Sequence, residues 1–304
     1  MSELLAPYQY EFFVKGLLVA TLAGGLCGLV GVYITLRGMS YIGHGLSHAI
    51  FGGFAAASIV SFNYFLGAGI WGLASALAIN RVTRKRAIGA DAAIGVITTA
   101  SFALGVALLT KFGNRGPSFD AALFGSILGV GDTDLLVIAG VTLIAGAVVV
   151  LRYRALLFAT FDPEVADVSG VRVARVDALL MLVLSLAILA TLTVIGVTLV
   201  AATLVIPAVV ARMLTNSFSR MLWLSTAIGT ACGFVGMNAS YHLDVPSGTT
   251  IVLTGAALFG VVLAVTGGGR LRRTAGLDDH AAVPAGTTPI GSLGAGGPAR
   301  SRSR

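Results

Sequence analysis

Of the chain's 304 residues 56% are hydrophobic and only 11% charged, against about 25% charged in soluble domains, so the composition excludes an ordinary soluble globule and fits a membrane protein. A net charge of +7 would suggest nucleic acid as the partner of a soluble chain, but here the basic residues gather at the ends of apolar segments, where they set membrane orientation. Forty glycines with eight prolines and no Gly-X-Y period exclude collagen and fit helices packed through small residues, as at Gly24/Gly28 and Gly125/Gly129.

Apolar stretches long enough to cross a bilayer, about 17 to 25 residues, lie near 14–36, 41–62, 66–80, 92–110, 134–151, 177–194, 197–214, 221–238 and 248–266. The third is short, and the sixth and seventh run together across "TLTVIGVTLV". The predicted fold is therefore an all-α polytopic bundle of eight or nine transmembrane helices. Glu3 and Glu11 precede a segment that continues into the first span, so no cleavable leader is expected. Arg37, the run Arg81 to Arg86, Arg152 with Arg154, Arg212 with Arg220, and "RLRR" follow alternate spans, which places those ends in the cytoplasm. The opposite loops hold only Lys111 and Arg115. Nine spans then put the N-terminus outside and the C-terminus inside, while eight would need a re-entrant segment.

Residues 1–267 are read as one transmembrane domain. Residues 268–304, rich in Gly, Pro, Ala, Thr, Ser and Arg, are read as a disordered cytoplasmic tail. Cys27 and Cys232 lie in apolar runs without metal or disulfide spacing.

Within the second span, "GMSYIGHGLSHAIFGG" sets His44 and His48 four residues apart, on one face of a helix. The pair reads either as two metal contacts or, with Ser47, as a polar seam between helices. "RYRALLFATFDPEVADVSGVRVARVD" is more than a connector. Asp162 and Pro163 signal a helix start, Glu164 sits in its first turn, and Gly170 ends it. On that short helix Val165 and Val168 face one way, flanked by Glu164 and Asp167, which suits docking to a protein partner. His242 and Asp244, in the outer loop "SYHLDVPSG", read as an outer metal contact or as solvated side chains. Asp120, Asp132 and Asp134 read as an acidic funnel or, more simply, as solvated surface. Asp91 reads as a gate or a partner for Arg84 to Arg86, or more cheaply as an N-cap or first-turn acid of its helix, and Pro207 as a kink or a source of free carbonyls.

No GxxxxGK[ST] occurs, so the chain cannot cradle ATP by itself. The spans hold almost no ionisable residues apart from the two histidines, so there is no proton relay to drive transport. No nucleophile–base set or HExxH suggests an enzyme.

"LRGMSYIGHGLSHAIFGG", "GADAAIGVITTASFALGVALL", "LFGSILGV", "FATFDPEVADVSGV", "IGVTLVAATLVIPAVVARML" and "SYHLDVPSGTTIVL" resemble, in order and spacing over about residues 12–266, the membrane permeases of ABC importers for manganese, zinc and iron. The resemblance implies a homodimeric or paired permease. It also implies a cytoplasmic ABC ATPase that binds the ATP, and an extracytoplasmic lipoprotein or periplasmic protein that delivers the metal. The chain itself would bind no cofactor and would lie in the plasma or inner membrane. The segment that couples to the ATPase matches "FDPEVADVSGV", hence Asp162, Pro163, Glu164, Val165, Val168 and Gly170. The family motif Gly-Asp-x-x-x-His matches Gly43, His44 and His48, so the histidine carries over and the aspartate does not. Imidazole in place of carboxylate favours zinc over manganese. The alternatives are a permease for a metal chelate or haem-like ligand, and an ATP-independent metal carrier.

Overall fold

The computed structural model describes residues 6–60, 62–84, 90–112, 124–126 and 130–278. After a short 3-10 turn at Ala6–Gln9 come α1 (Glu11–Leu36), α2 (Ser40–Ile59), α3 (Tyr64–Arg84) and α4 (Ala90–Phe112). Next are α5 (Asp132–Leu151), α6 (Tyr153–Phe161) and α7 (Pro163–Val168). The chain continues through α8 (Val173–Ile195), α9 (Val200–Leu214), α10 (Phe218–Leu243) and α11 (Ser247–Asp278).

Among the described residues, nine of these helices match the nine apolar stretches. The short third stretch lies in a helix of 21 residues, whose apolar part, Leu66–Val82, is at the short limit for a span. The merged sixth and seventh separate at Gly196, whose φ of +84° breaks the helix. Helix α9, with 15 residues, is about 22 Å long and falls short of a ~30 Å hydrocarbon core. The α8–α9 turn is accordingly sealed in protein. Val194, Ile195 and Val197 are fully buried, and Ser247 Oγ donates to Val194 O at 2.8 Å. Irregular backbone survives at membrane depth only under such cover. At the other end of the chain, α11 runs past the expected limit at 267 to Asp278.

Helix α1 is the centre of the bundle and packs against α10, α9, α8 and α5. Its apolar window is 78% buried, against 22% for α5 and α11, whose outer faces are left for lipid. A second group, α2 between α3 and α4, joins the first through α8 and α9. The α1–α10 contact explains the Gly24/Gly28 pair. A Cβ on Gly24 would strike the Gly229 carbonyl, and one on Gly28 the Ser225 carbonyl. Removing both side chains lets Ser225 Oγ donate to Gly28 O at 2.6 Å. Gly125, at φ +76°, lies against the Val194 backbone in the same way; Gly129 lies outside the described residues.

Contacts between ends support the alternating topology. Lys15 pairs with Asp132 at 2.7 Å and Tyr8 donates to Asn238 at 2.8 Å, so the starts of α1 and α5 share one end with the close of α10. Arg37, Thr160, Asp177 and Phe218 gather at the opposite end.

Candidate metal passage

Helix α1 stops at Gly38, whose φ of +66° reverses the chain, with Met39 N–H donating back to Ile34 O at 3.0 Å. Helix α2 starts two residues later and carries the two histidines on one face in its first half. It can approach α4 closely because Gly45 meets Ile94 and Thr98, and Gly52 meets Ser101. His44 and His48 are both half-buried. Their Nε2 atoms lie 3.1 Å apart, with the rings nearly perpendicular at 85°. The Phe102 ring of α4 braces His48 edge-on at 4.6 Å between centroids.

One Nε2 must carry the shared hydrogen. His48 Nδ1 is buried without a partner among the described residues. With the hydrogen on its Nε2, His48 donates to His44 and leaves Nδ1 as an unpaired acceptor; the other tautomer would strand an N–H. The two Nε2 atoms thus face each other across one shared hydrogen, which an ion contacting both would have to displace. Among the described residues no group of three or more His, Cys, Asp or Glu side chains gathers around the pair.

The other candidates are not brought to this pair. His242 is in the last turn of α10, not in an extended loop, and Asp244 is its left-handed cap at φ 53°; both are exposed at the opposite end of the bundle. Asp132 is held by Lys15, and Asp134 accepts from Gly131 N–H at 2.9 Å as the cap of α5, so both have structural employment. Asp91 falls in the first turn of α4, but its side chain, like Asp120, lies outside the described residues.

At the cytoplasmic end the predicted helix is built as its signals require. Asp162 Oδ1 accepts from Val165 N–H at 2.9 Å, Pro163 opens the helix, and Gly170 closes it at φ +82°, with Val171 N–H donating to Ala166 O at 2.9 Å. Ala166 is buried against the bundle. Val165 is 49% and Val168 92% exposed, beside the exposed Glu164 and Asp167.

Residues 9–266 match the profile of the ABC 3 transport family. The chain belongs to that family. It is thus a multi-pass permease subunit of a metal ABC importer in the plasma membrane, a transport component and not an enzyme. This ABC 3 permease is 39% identical over 251 residues to the manganese transport system membrane protein MntC of Halalkalibacterium halodurans, covering 83% of this chain and 86% of that protein. It is 36% identical over 264 residues to the manganese transport system membrane protein MntB of Synechocystis sp., covering 86% of this chain and 85% of that one. Among solved structures it resembles PsaBC from Streptococcus pneumoniae in complex with Fab, with a TM-score of 0.78 and 33% identity over 86% of this chain and 95% of that chain.

Sequence reasoning missed three features of the ABC 3 permease. Arg37 was read only as an orientation signal, yet its guanidinium reaches Asp177 and Thr160. Phe102 was one apolar residue among many until packing set it against His48. Trp71 Nε1 donates to Ser101 Oγ at 2.6 Å, and Ser101 donates to Ala49 O at 3.2 Å, tying α3, α4 and α2 together.

Proposed function

We propose that this permease imports manganese, with His44 and His48 as contacts in its passage and a cytoplasmic ATPase docked on Pro163–Val168. An extracytoplasmic binding protein delivers the ion at the end marked by His242 and Asp244. A second permease copy supplies the ligands that one protomer lacks. The observation that carries the reading is the convergence of two half-buried Nε2 atoms, 3.1 Å apart, in spans otherwise nearly free of ionisable groups. Polar side chains at membrane depth mark ion pathways by default.

Two neutral imidazoles hold an ion weakly, which conduction requires, because the ion must also leave. The imidazoles would bind zinc more tightly than manganese. Tight binding is not transport, and both relatives described above carry manganese in their names. ATP dependence is supported by membership of the ABC 3 transport family and by the exposed valines of α7 as a surface for an ATPase.

Proteoliposomes containing the permease, its ATPase and its binding protein test the reading by manganese uptake. His44→Ala and His48→Ala should each lower uptake while the complex still assembles. Wild-type uptake by both variants would remove the histidines from the passage.

A further inference from the structure

We propose that Arg37 is a positioning residue for transport, the joint through which movement of the α6–α7 arm reaches the helix that carries His44 and His48. The inference rests on the reading of α7 as the ATPase contact and adds the route inward from it.

Three elements meet at this side chain. Arg37 caps the C-terminus of α1. Its Nη1 donates to Asp177 Oδ1, on the second turn of α8, at 2.6 Å, and its Nε donates to Thr160 Oγ1, on the last turn of α6, at 3.2 Å. Thr160 lies two residues before Asp162, the cap of α7. On the other side, Arg37 is followed by Gly38, where a Cβ would meet nothing within 4 Å, and then by α2. Gly38 takes a φ of +66°, which favours glycine, and only six residues separate Arg37 from His44. An aromatic cluster lies beside the polar contacts: the Phe218 ring is 5.6 Å from Tyr33 of α1, and 5.7 Å from both Tyr153 and Phe161 of α6. Displacing the arm thus pulls on α1 through a guanidinium fork and through one shared ring.

The ion pair is a poor device for stability alone. The Arg37 and Asp177 side chains are only 10% and 18% exposed, and a pair this buried contributes little over well-packed apolar residues of similar size. Nor is the cluster fully satisfied as it stands. Arg37 Nη2 and, one turn earlier on the same face of α1, the Tyr33 hydroxyl are buried without a hydrogen-bond partner among the described residues. Two orphaned donors beside a positive-φ glycine leave room for a second arrangement, in which the arm has moved and the fork is engaged differently. Discrete rearrangements of this kind are how small displacements at one site become large ones at another.

The test measures manganese imported per ATP hydrolysed by the complete complex in proteoliposomes, for Arg37→Gln, Asp177→Asn, the double variant and Thr160→Val. Either single change at the ion pair should lower that ratio by roughly tenfold, within the range of coupling between linked sites, while ATP hydrolysis and copurification persist. The double variant, which leaves no unpaired buried charge and can still bond amide to amide, should regain most of the ratio. Thr160→Val, which deletes one acceptor in nearly the same volume, should lower it partially, and it decides the matter if Arg37→Gln does not assemble. An unchanged ratio in Arg37→Gln or, failing its assembly, in Thr160→Val overturns the proposal. So does a proportional fall of transport and hydrolysis together, which is what a merely structural role predicts. Val168→Glu separates the underlying reading: if it leaves ATPase copurification intact, α7 is not the docking helix, whatever Arg37 does.

Discussion

Replacing Gly229 with alanine tests the central crossing of the bundle, because a single methyl group there has nowhere to go. An alanine Cβ at 229 would overlap the Gly24 carbonyl oxygen, with the Gly24 carbonyl carbon 2.8 Å away and Gly28 Cα at 3.4 Å. Ordinary carbon–carbon contact needs ~3.5 Å, and the obstructing atoms are backbone, so no side chain can rotate aside. Helices α1 and α10 must separate by about an ångström. Overpacking of this kind costs ~1–3 kcal/mol. The separation also stretches the 2.6 Å bond from Ser225 Oγ to Gly28 O, worth about 0.6 to 1.7 kcal/mol in a membrane. Against this, alanine gains up to ~1 kcal/mol of helix propensity. The net expectation is a loss of about 1 to 4 kcal/mol, the sum of those contributions. Gly146→Ala in α5, where a Cβ meets nothing within 4 Å, should be neutral or stabilising and serves as the internal reference. Thermal or SDS-driven unfolding of the purified permease in mixed micelles measures both. Equal stability of Gly229→Ala and Gly146→Ala would refute the close-approach argument for this crossing.

Three further outcomes follow from the same contacts. Asp162→Ala removes the cap on Val165 N–H and should cost about 1 kcal/mol locally, seen as several-fold faster amide exchange in 163–168; unchanged exchange would mean that packing on the buried Ala166 alone holds α7. Ser101→Ala takes the acceptor from Trp71 Nε1 at a cost of ~1 kcal/mol. Since the chain has two tryptophans, a Trp223→Phe background isolates Trp71, and its emission should shift; an unshifted spectrum would contradict the bond. Zinc should inhibit manganese uptake at concentrations well below that of manganese, since imidazole prefers zinc, and the inhibition should weaken in His44→Ala. Equal inhibition in wild type and variant would place zinc elsewhere.

The positions of the helices were legible because bilayer thickness turns hydropathy into length: nine apolar stretches became nine helices. What hydropathy could not resolve was the boundary between the sixth and seventh. Gly196 sits inside an unbroken apolar run, and only the buried turn at Val194–Val197, bonded by Ser247 from fifty residues later, shows why the helix breaks there. The Gly24/Gly28 spacing was equally ambiguous, since forty glycines produce such pairs by chance; its partners Gly229 and Ser225 are two hundred residues away and carry the opposite half of the information. The α7 helix was legible in full, because Asp162, Pro163 and Gly170 act locally, through a cap, a fixed φ and a positive φ.

The histidine pair and the arginine divide along the same line. Spacing placed His44 and His48 on one face, since that is a property of a single helix. It could not supply Phe102, or leave His48 Nδ1 without a partner, because both depend on how α4 lies against α2. Arg37 is the harder case. At the end of a span a basic residue is already accounted for by orientation, so nothing in its surroundings in the chain suggested a further role. Its acceptors, Thr160 and Asp177, are 123 and 140 residues away. A residue that satisfies a general rule conceals any specific one it also serves. The positive-inside rule explains why a cation stands at position 37, but lysine would satisfy it as well. The fork that reaches two elements at once, through Nε and Nη1, is available only to arginine. If orientation were its only duty, Arg37→Lys would be silent in transport; on the geometry of the fork it should behave as a partial loss, with the Thr160 contact gone and the Asp177 contact kept.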